Sequence, residues 1–227
     1  MIKKILAIVF ILTSITLSQN NNYSNYRNFH IAGGFQAGLN NGASGQLNIL
    51  FSGFADDFPF SAKIAAGISF LDAGDPMAAR RIFINNNTNG VPDKDGKTYN
   101  FSLDFLYRKS ILGLKRNYFY VGPRHTMFTG TFNYIGGNED FEVTSNQWGV
   151  GFGIENYFRI IPAIDLVLNL GYDYYISETL YGHDTFYSPD GQDVNPREDY
   201  NFDDADDAIN QPKHQLKVLI GFSYNLR

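Results

Sequence analysis

Cysteine is absent from the 227-residue chain. That excludes disulfides, thiolate metal sites, a cysteine nucleophile and acylation at an N-terminal cysteine. Positive charge is in deficit: 18 Lys and Arg stand against 23 Asp and Glu, a net −5. Nucleic acid is thereby excluded as a partner, because its affinity comes from basic groups on phosphates. Long hydrophobic runs are also missing. The one sizeable apolar stretch, Ile5 to Leu12, is shorter than the roughly 18 residues of a spanning helix. With a mean hydropathy of −0.24, a helical membrane protein is excluded. No glycine-rich phosphate loop, nucleophile elbow or metal-ligand triad occurs either.

That single apolar stretch follows the basic start Met1-Ile2-Lys3-Lys4 and precedes the small residues of Thr16-Leu17-Ser18. The order is that of a secretory signal peptide, with cleavage expected before Gln19. Residues 1–18 are therefore read as the signal, 19–28 as an Asn/Ser/Tyr-rich periplasmic extension, and 29–227 as the folded domain.

Aromatics reach 16% and there are 22 glycines, a composition that fits alternating strands. Period-two alternation is the decisive pattern, since neighbouring strand residues face opposite sides. Leu216, Val218, Ile220, Phe222, Tyr224 and Leu226 share one parity, and Gln215, Lys217, Gly221, Ser223 and Asn225 hold the other, which only Leu219 breaks. Ile164, Leu166, Leu168, Leu170, Tyr172 and Tyr174 repeat the pattern against Asp165, Val167, Asn169, Gly171 and Asp173. Similar segments start near Phe29, Gln46, Phe60, Tyr99 and Gln147. A fifth segment, from about Tyr118 to Tyr134, is irregular, and Gly122-Pro123-Arg124 predicts a bulge there. The segments are about 9–12 residues long, enough for a tilted strand to cross a bilayer.

The connections sort by length. Residues 55–59, 109–117 and 159–163 form short turns on one side. Residues 72–98, 136–146 and 177–213 form longer loops on the other, with 40–44 the short exception. Long outer loops and short periplasmic turns characterise membrane barrels. Aromatics cluster near both predicted ends, Phe58, Phe60, Tyr107, Tyr118, Tyr120, Tyr157, Phe158 and Tyr224 inside and Tyr99, Tyr134, Tyr172 and Tyr174 outside, as boundary girdles do. The expected fold is all-β: a closed, eight-stranded, antiparallel up-and-down transmembrane barrel. A soluble barrel or sandwich would turn the apolar parity inward instead.

The signal, the eight alternating segments and the ending Ile220-Gly221-Phe222-Ser223-Tyr224-Asn225-Leu226 resemble the small outer-membrane barrels, a group comprising the OmpA transmembrane domain, OmpX and the PorT-like barrels of Bacteroidetes-type bacteria. The resemblance implies an integral outer-membrane protein of a Gram-negative-type cell; no cofactor or enzymatic activity is expected, because the catalytic motifs are missing and the four histidines are scattered. It also implies lipid and lipopolysaccharide as its surroundings and a monomeric state. Two features depart from the group: the chain ends on Leu226-Arg227 where an aromatic residue is common, and no peptidoglycan-binding domain is expected after the last strand.

The polar parity carries Lys63, Asp104, Arg108, Glu155, Asp165, Asp173 and Lys217, with His30, Gln36, Asn48, Asn100, Gln147 and Asn169. Eight strands leave an interior just wide enough for side chains, and buried charges need partners. A packed polar lumen is expected, with a narrow, low-conductance ion path as the alternative. Residues 177–213 are strongly acidic, from Glu178 and Asp184 to Asp206 and Asp207, against only Arg197 and Lys213. That loop is read as solvated, with a divalent-cation or surface-ligand site as the sharper option. Asp93-Lys94-Asp95-Gly96 partly resembles the opening of a calcium loop. A lipid A-modifying activity would have to draw on His183-Asp184, Ser188 or His125-Thr126. His125 itself is expected in the lumen or at the bulge.

Overall fold

The computed structural model describes residues 29–55, 58–84, 88–110, 114 and 116–226. The expected signal peptide and periplasmic extension lie outside them. Seven consecutive strands are β1 (His30–Asn40), β2 (Ala43–Ser52), β3 (Phe60–Leu71), β4 (Val91–Arg108), β5 (Asn117–Ile135), β6 (Phe141–Ile161) and β7 (Ile164–Tyr175). Two short strands, β8 (Leu180–Tyr181) and β9 (Phe186–Tyr187), precede β10 (His214–Asn225). Helix α1 (Pro76–Phe83) lies between β3 and β4, and α2 (Phe202–Ala208) between β9 and β10. The order β5-β4-β3-β2-β1-β10-β7-β6, closed by pairing of β5 with β6, makes an eight-stranded antiparallel barrel in which each strand neighbours the next barrel strand in sequence.

The apolar parity faces outward. Leu47, Ile64, Phe152, Leu170 and Phe222 are each about half exposed or more, whereas Gln36, Lys63, Glu155, Asn169 and Asp173 are buried. Side-chain size explains the sorting: the narrow interior is mostly taken up by polar groups, with room for one small apolar cluster around Leu50, Leu106 and Val167.

No bulge forms at Gly122-Pro123-Arg124, contrary to the sequence reading. Ser102 pairs with Arg124 and Phe105 with Val121 in the same register, and the ladder to β6 is continuous. Two neighbouring features replace the bulge. Pro123 lacks a donor, and the β4 ladder drops the pairs opposite residues 122 and 123. Gly122 then lets β4 run close, since a Cβ there would lie 1.8 Å from the Leu103 carbonyl oxygen. The register shift that does occur is at Arg159 and Ile161, at the periplasmic end of β6.

Strand lengths divide the barrel. β1, β2, β3, β7 and β10 have 10–12 residues, while β4, β5 and β6 have 18, 19 and 21. The excess lies at the outer end, because Leu71, the last residue of β3, already pairs with Gly96 and Tyr175 pairs with Gly149. At about 3.3 Å per residue, the three strands stand as a wall roughly 15–20 Å above the rest of the rim. From Tyr120 outward the burial alternation of β5 never breaks, yet the polarity of its faces exchanges. Val121 and Met127 point outward and Arg124 and Thr126 inward. Farther out, Phe128, Phe132 and Tyr134 are buried on the inner face, and Thr129, Thr131 and Asn133 take the outer one.

The wall's inner face carries a cap. Ala79, Ile82 and Phe83 of α1, Leu180, Tyr187, and Ala205, Ala208 and Ile209 around α2 pack on Phe128, Phe132, Tyr134, Phe141 and Val143 in one buried cluster. Local signals set both helices. Asp75 accepts from the Met77 and Ala78 amides with Pro76 at the first helical position, and Asn201 with Asp204 forms a capping box. Residues 72–98 and 177–213, read from sequence as loops, are thus largely an ordered outer domain. Asp93-Lys94-Asp95-Gly96 is a strand segment of β4 rather than a calcium loop.

A closed ladder resists detergent until heated. The full chain is expected to migrate differently on gels before and after boiling; identical mobility across several detergent strengths would count against closure.

Candidate functional site in the lumen and at the outer mouth

Adjacent strands place alternating charges along the lumen. Lys63 on β3 is ion-paired with Glu155 on β6 and lies 3.4 Å from Asp104 on β4. Arg124 on β5 meets Asp104 at 2.6 Å and Asp173 on β7 at 2.8 Å. Lys217 on β10 meets the second oxygen of Asp173 at 2.6 Å. The sequence Glu155–Lys63–Asp104–Arg124–Asp173–Lys217 alternates in sign and balances to zero, and all six side chains are buried. Neutral groups complete the Glu155 end. Tyr157 donates to Oε2 at 2.9 Å, and Asn169 donates to Oε1 at 2.6 Å. Tyr120 donates to Asn169 at 2.9 Å, and its ring lies 5.1 Å from Lys63 Nζ and 5.7 Å from Arg124 Cζ. Missing side chains make the room: a Cβ on Gly151 would come within 2.2 Å of Arg124 Nε, and one on Gly171 within 1.9 Å of the Tyr120 hydroxyl.

Five of the seven charges expected in the lumen stand in this column. Asp165 is buried but forms a separate periplasmic cluster with Arg116 and with Arg159, the latter at 2.7 Å. Arg108 corrects the expectation: it has the inward parity yet lies exposed at the end of β4, where strand parity no longer implies depth. His30 is exposed for the same reason, while Gln36, Asn48, Gln147 and Asn169 are buried and Asn100 is half-buried. Tyr120, Tyr157 and Tyr134, expected in the girdles, are buried instead, the first two in the lumen and Tyr134 inside the cap. His125 is a further correction. Its ring lies tilted 4.6 Å from Trp148 and 6.4 Å from Phe101, both on the outward face, so it is neither a lumen residue nor a bulge residue. Sequence reasoning missed Arg124, the group at the centre of the column.

At the Arg124–Lys217 end of the column a space of about 20 Å³ is bordered by Asn40, Arg124, Asp173, Tyr175 and Lys217. That is room for about one water molecule. Higher up, Gln147 donates to the Pro212 carbonyl at 2.7 Å, tying the cap to the barrel.

The acids of the outer region are dispersed into structural duties. Asp206 pairs with Lys213 at 2.6 Å, Asp72 with Lys94 at 2.8 Å, and Asp193 accepts from the Ser188 amide at 2.7 Å. The Lys94 hydrogen bond holds the Asp72 carboxyl below its ordinary range, and the Ser188 hydroxyl does the same for Asp190. Among the described residues, no group of three or more histidines and acids is placed to hold a metal ion. The candidate catalytic groups are not assembled either. His183 lies 3.1 Å from Asp184, both exposed, and Ser188 is bonded to Asp190 and Thr179.

No family model matches the sequence, and no curated protein matches it at a significant level. The fold is similar to that of a major outer membrane protein from Thermus thermophilus, at 24% identity and a TM-score of 0.70, over 87% of this chain and 99% of that one. Weaker likenesses include neisserial surface protein A (12% identity, TM-score 0.41, over 86% and 96% of the chains) and Acinetobacter baumannii CarO (12%, 0.45, over 88% and 99%). The architecture is that of the small eight-stranded outer-membrane barrels.

Proposed function

We propose that the protein is an exported, integral outer-membrane barrel that does not conduct, a scaffold in lipid that displays an ordered, acidic cap on the cell surface. The observation that supports this reading is the column of six alternating charges. An ion crossing the lumen has to displace side chains that neutralise one another, and both the ion and the abandoned partner would then lie unpaired in a low-dielectric interior. The cap covers the wall side of the mouth.

Placement in a membrane follows from the outward parity. A belt with Phe35, Leu47, Ile64, Phe101, Phe152 and Leu170 exposed has no stable home in water but matches hydrocarbon. Tyr99, Trp148 and Tyr174 mark its outer boundary and Phe60, Tyr107, Phe158 and Tyr224 its periplasmic one. Lipid and lipopolysaccharide would surround a monomer, and the cap would meet surface ligands.

Planar-bilayer recordings of the refolded full chain are the test. No reproducible current steps are expected at either polarity; steps that scale with protein concentration would sink the sealed reading in favour of a small channel.

A further inference from the structure

The tall wall occupies one side of the mouth and leaves the opposite rim low. There the β1–β2 turn, the end of β3 and the start of β10 enclose a notch of about 850 Å³, within the size range of small-ligand pockets. Its walls are fixed to one another. The Asp75 amide donates to the Ala208 carbonyl at 2.8 Å and the Asn210 amide to that of Ala73 at 3.0 Å. Asn41 Nδ2 donates to the His214 carbonyl at 2.7 Å.

Gln211 and Gln215 line the notch and are buried, Gln215 completely. Neither amide atom of Gln215 has a hydrogen-bond partner in the protein, nor has Oε1 of Gln211. A buried amide is seldom left so, because nothing in the fold repays its desolvation. On the rim, four aspartates (72, 75, 206 and 207) face two lysines, 94 and 213. Both lysines are already taken, by Asp72 and Asp206, and Asp75 and Asp207 remain exposed. The unused capacity is therefore mostly acceptor: two amide oxygens, the Asp207 carboxylate and the second oxygen of Asp75, whose Oδ1 caps α1, against one amide nitrogen.

We propose that the notch binds a small organic cation, a primary ammonium with further hydrogen-bond donors, its charge held by Asp207 and Asp75 and its donors by Gln211 and Gln215. An anion would meet the rim's negative surplus, and a fully apolar ligand would leave the amides unpaired. The ligand is held rather than passed on, because Lys217 and its pair with Asp173 lie beneath. The proposal adds a ligand class to the surface role and needs the outer rim exposed, but binding in micelles is read without reference to conductance. Failure here leaves the sealed lumen standing.

The test is calorimetric titration of the full chain in detergent with 1,5-diaminopentane, glucosamine and glucose. Saturable one-to-one binding of at least one amine is expected, and comparison of the two separates a bare amine from an amino sugar. Glucose should bind about tenfold more weakly or not at all. Asp207→Asn and Gln215→Leu should each weaken amine binding about tenfold. Gln215→Leu should do so while the urea midpoint stays level or rises, since an unpaired buried amide is removed; loss of binding there is not loss of fold. Asp93→Asn, on β4 but outside the notch lining, should bind as the wild type. The proposal fails if neither amine saturates, if glucose matches glucosamine, if both variants keep wild-type affinity, or if Asp93→Asn weakens binding as much as Asp207→Asn.

Discussion

Replacing Arg124 by alanine will lower barrel stability by about 3–5 kcal/mol, the usual cost of deleting one member of a buried ion network. The guanidinium contacts Asp104 at 2.6 Å and Asp173 at 2.8 Å, so its removal leaves three buried acids facing two lysines. Each orphaned carboxylate keeps one cation, Lys63 or Lys217, which places the cost in that range rather than beyond it. Urea unfolding of the protein in phospholipid vesicles measures the loss. Arg124→Lys should recover only part of it, because a single ammonium cannot repeat the two-sided fork. The same truncation widens the space of about 20 Å³ beside Asp173 and Tyr175, so cation-selective current steps should appear in Arg124→Ala alone. A variant that unfolds with the wild type and stays silent in bilayers would show that the column neither holds the barrel nor seals it.

The second large effect is expected in the cap. Phe83 is 1% exposed, stacks 6.0 Å from Phe141 and meets the Tyr187 ring edge-on at 5.5 Å. Phe83→Ala should cost the cap about 3–5 kcal/mol, the transfer of a buried ring plus the cavity it leaves. The cap cluster is separate from the small barrel cluster around Leu106, Tyr120 and Val167, so the opening should be local. Limited proteolysis should cut within residues 184–199 much faster than in the wild type, while the heat-dependent gel shift persists. If the shift disappears together with the cap, the two units fold as one and the division is wrong.

The strands were legible where one solvent meets one face along their whole length. In β1, β3, β7 and β10, short of the last residue of each, the large apolar residues hold one parity with only Val167 and Leu219 on the other, and the sequence assigns the strands correctly. β5 defeated that test because its outer third stands in water and encloses an apolar core. Its apolar set changes sides between Met127 and Phe128, which in a bare sequence looks like a broken strand. Arg124 was lost with it. A count of charge held the clue: Lys63, Arg108 and Lys217 cannot balance Asp104, Glu155, Asp165 and Asp173, so a further inward cation was required. Tyr120 and Tyr157 were assigned to the girdle on residue type, though Tyr157 shares the parity of Glu155. Arg108 failed in the opposite way, since parity gives a side but no depth. The cap helices left the signals Asp75-Pro76 and Asn201-Phe202-Asp203-Asp204, which a search for helix starts would have found.

The exchange of faces along β5 also fixes how high the molecule rides. Were the barrel to sink by one residue pair, Lys97 and Thr129 would enter hydrocarbon; were it to rise, Met127 and Tyr99 would be stranded in the headgroups. Both displacements are opposed by the same few rungs, so the chain carries a waterline that no anchor outside the strands has to supply.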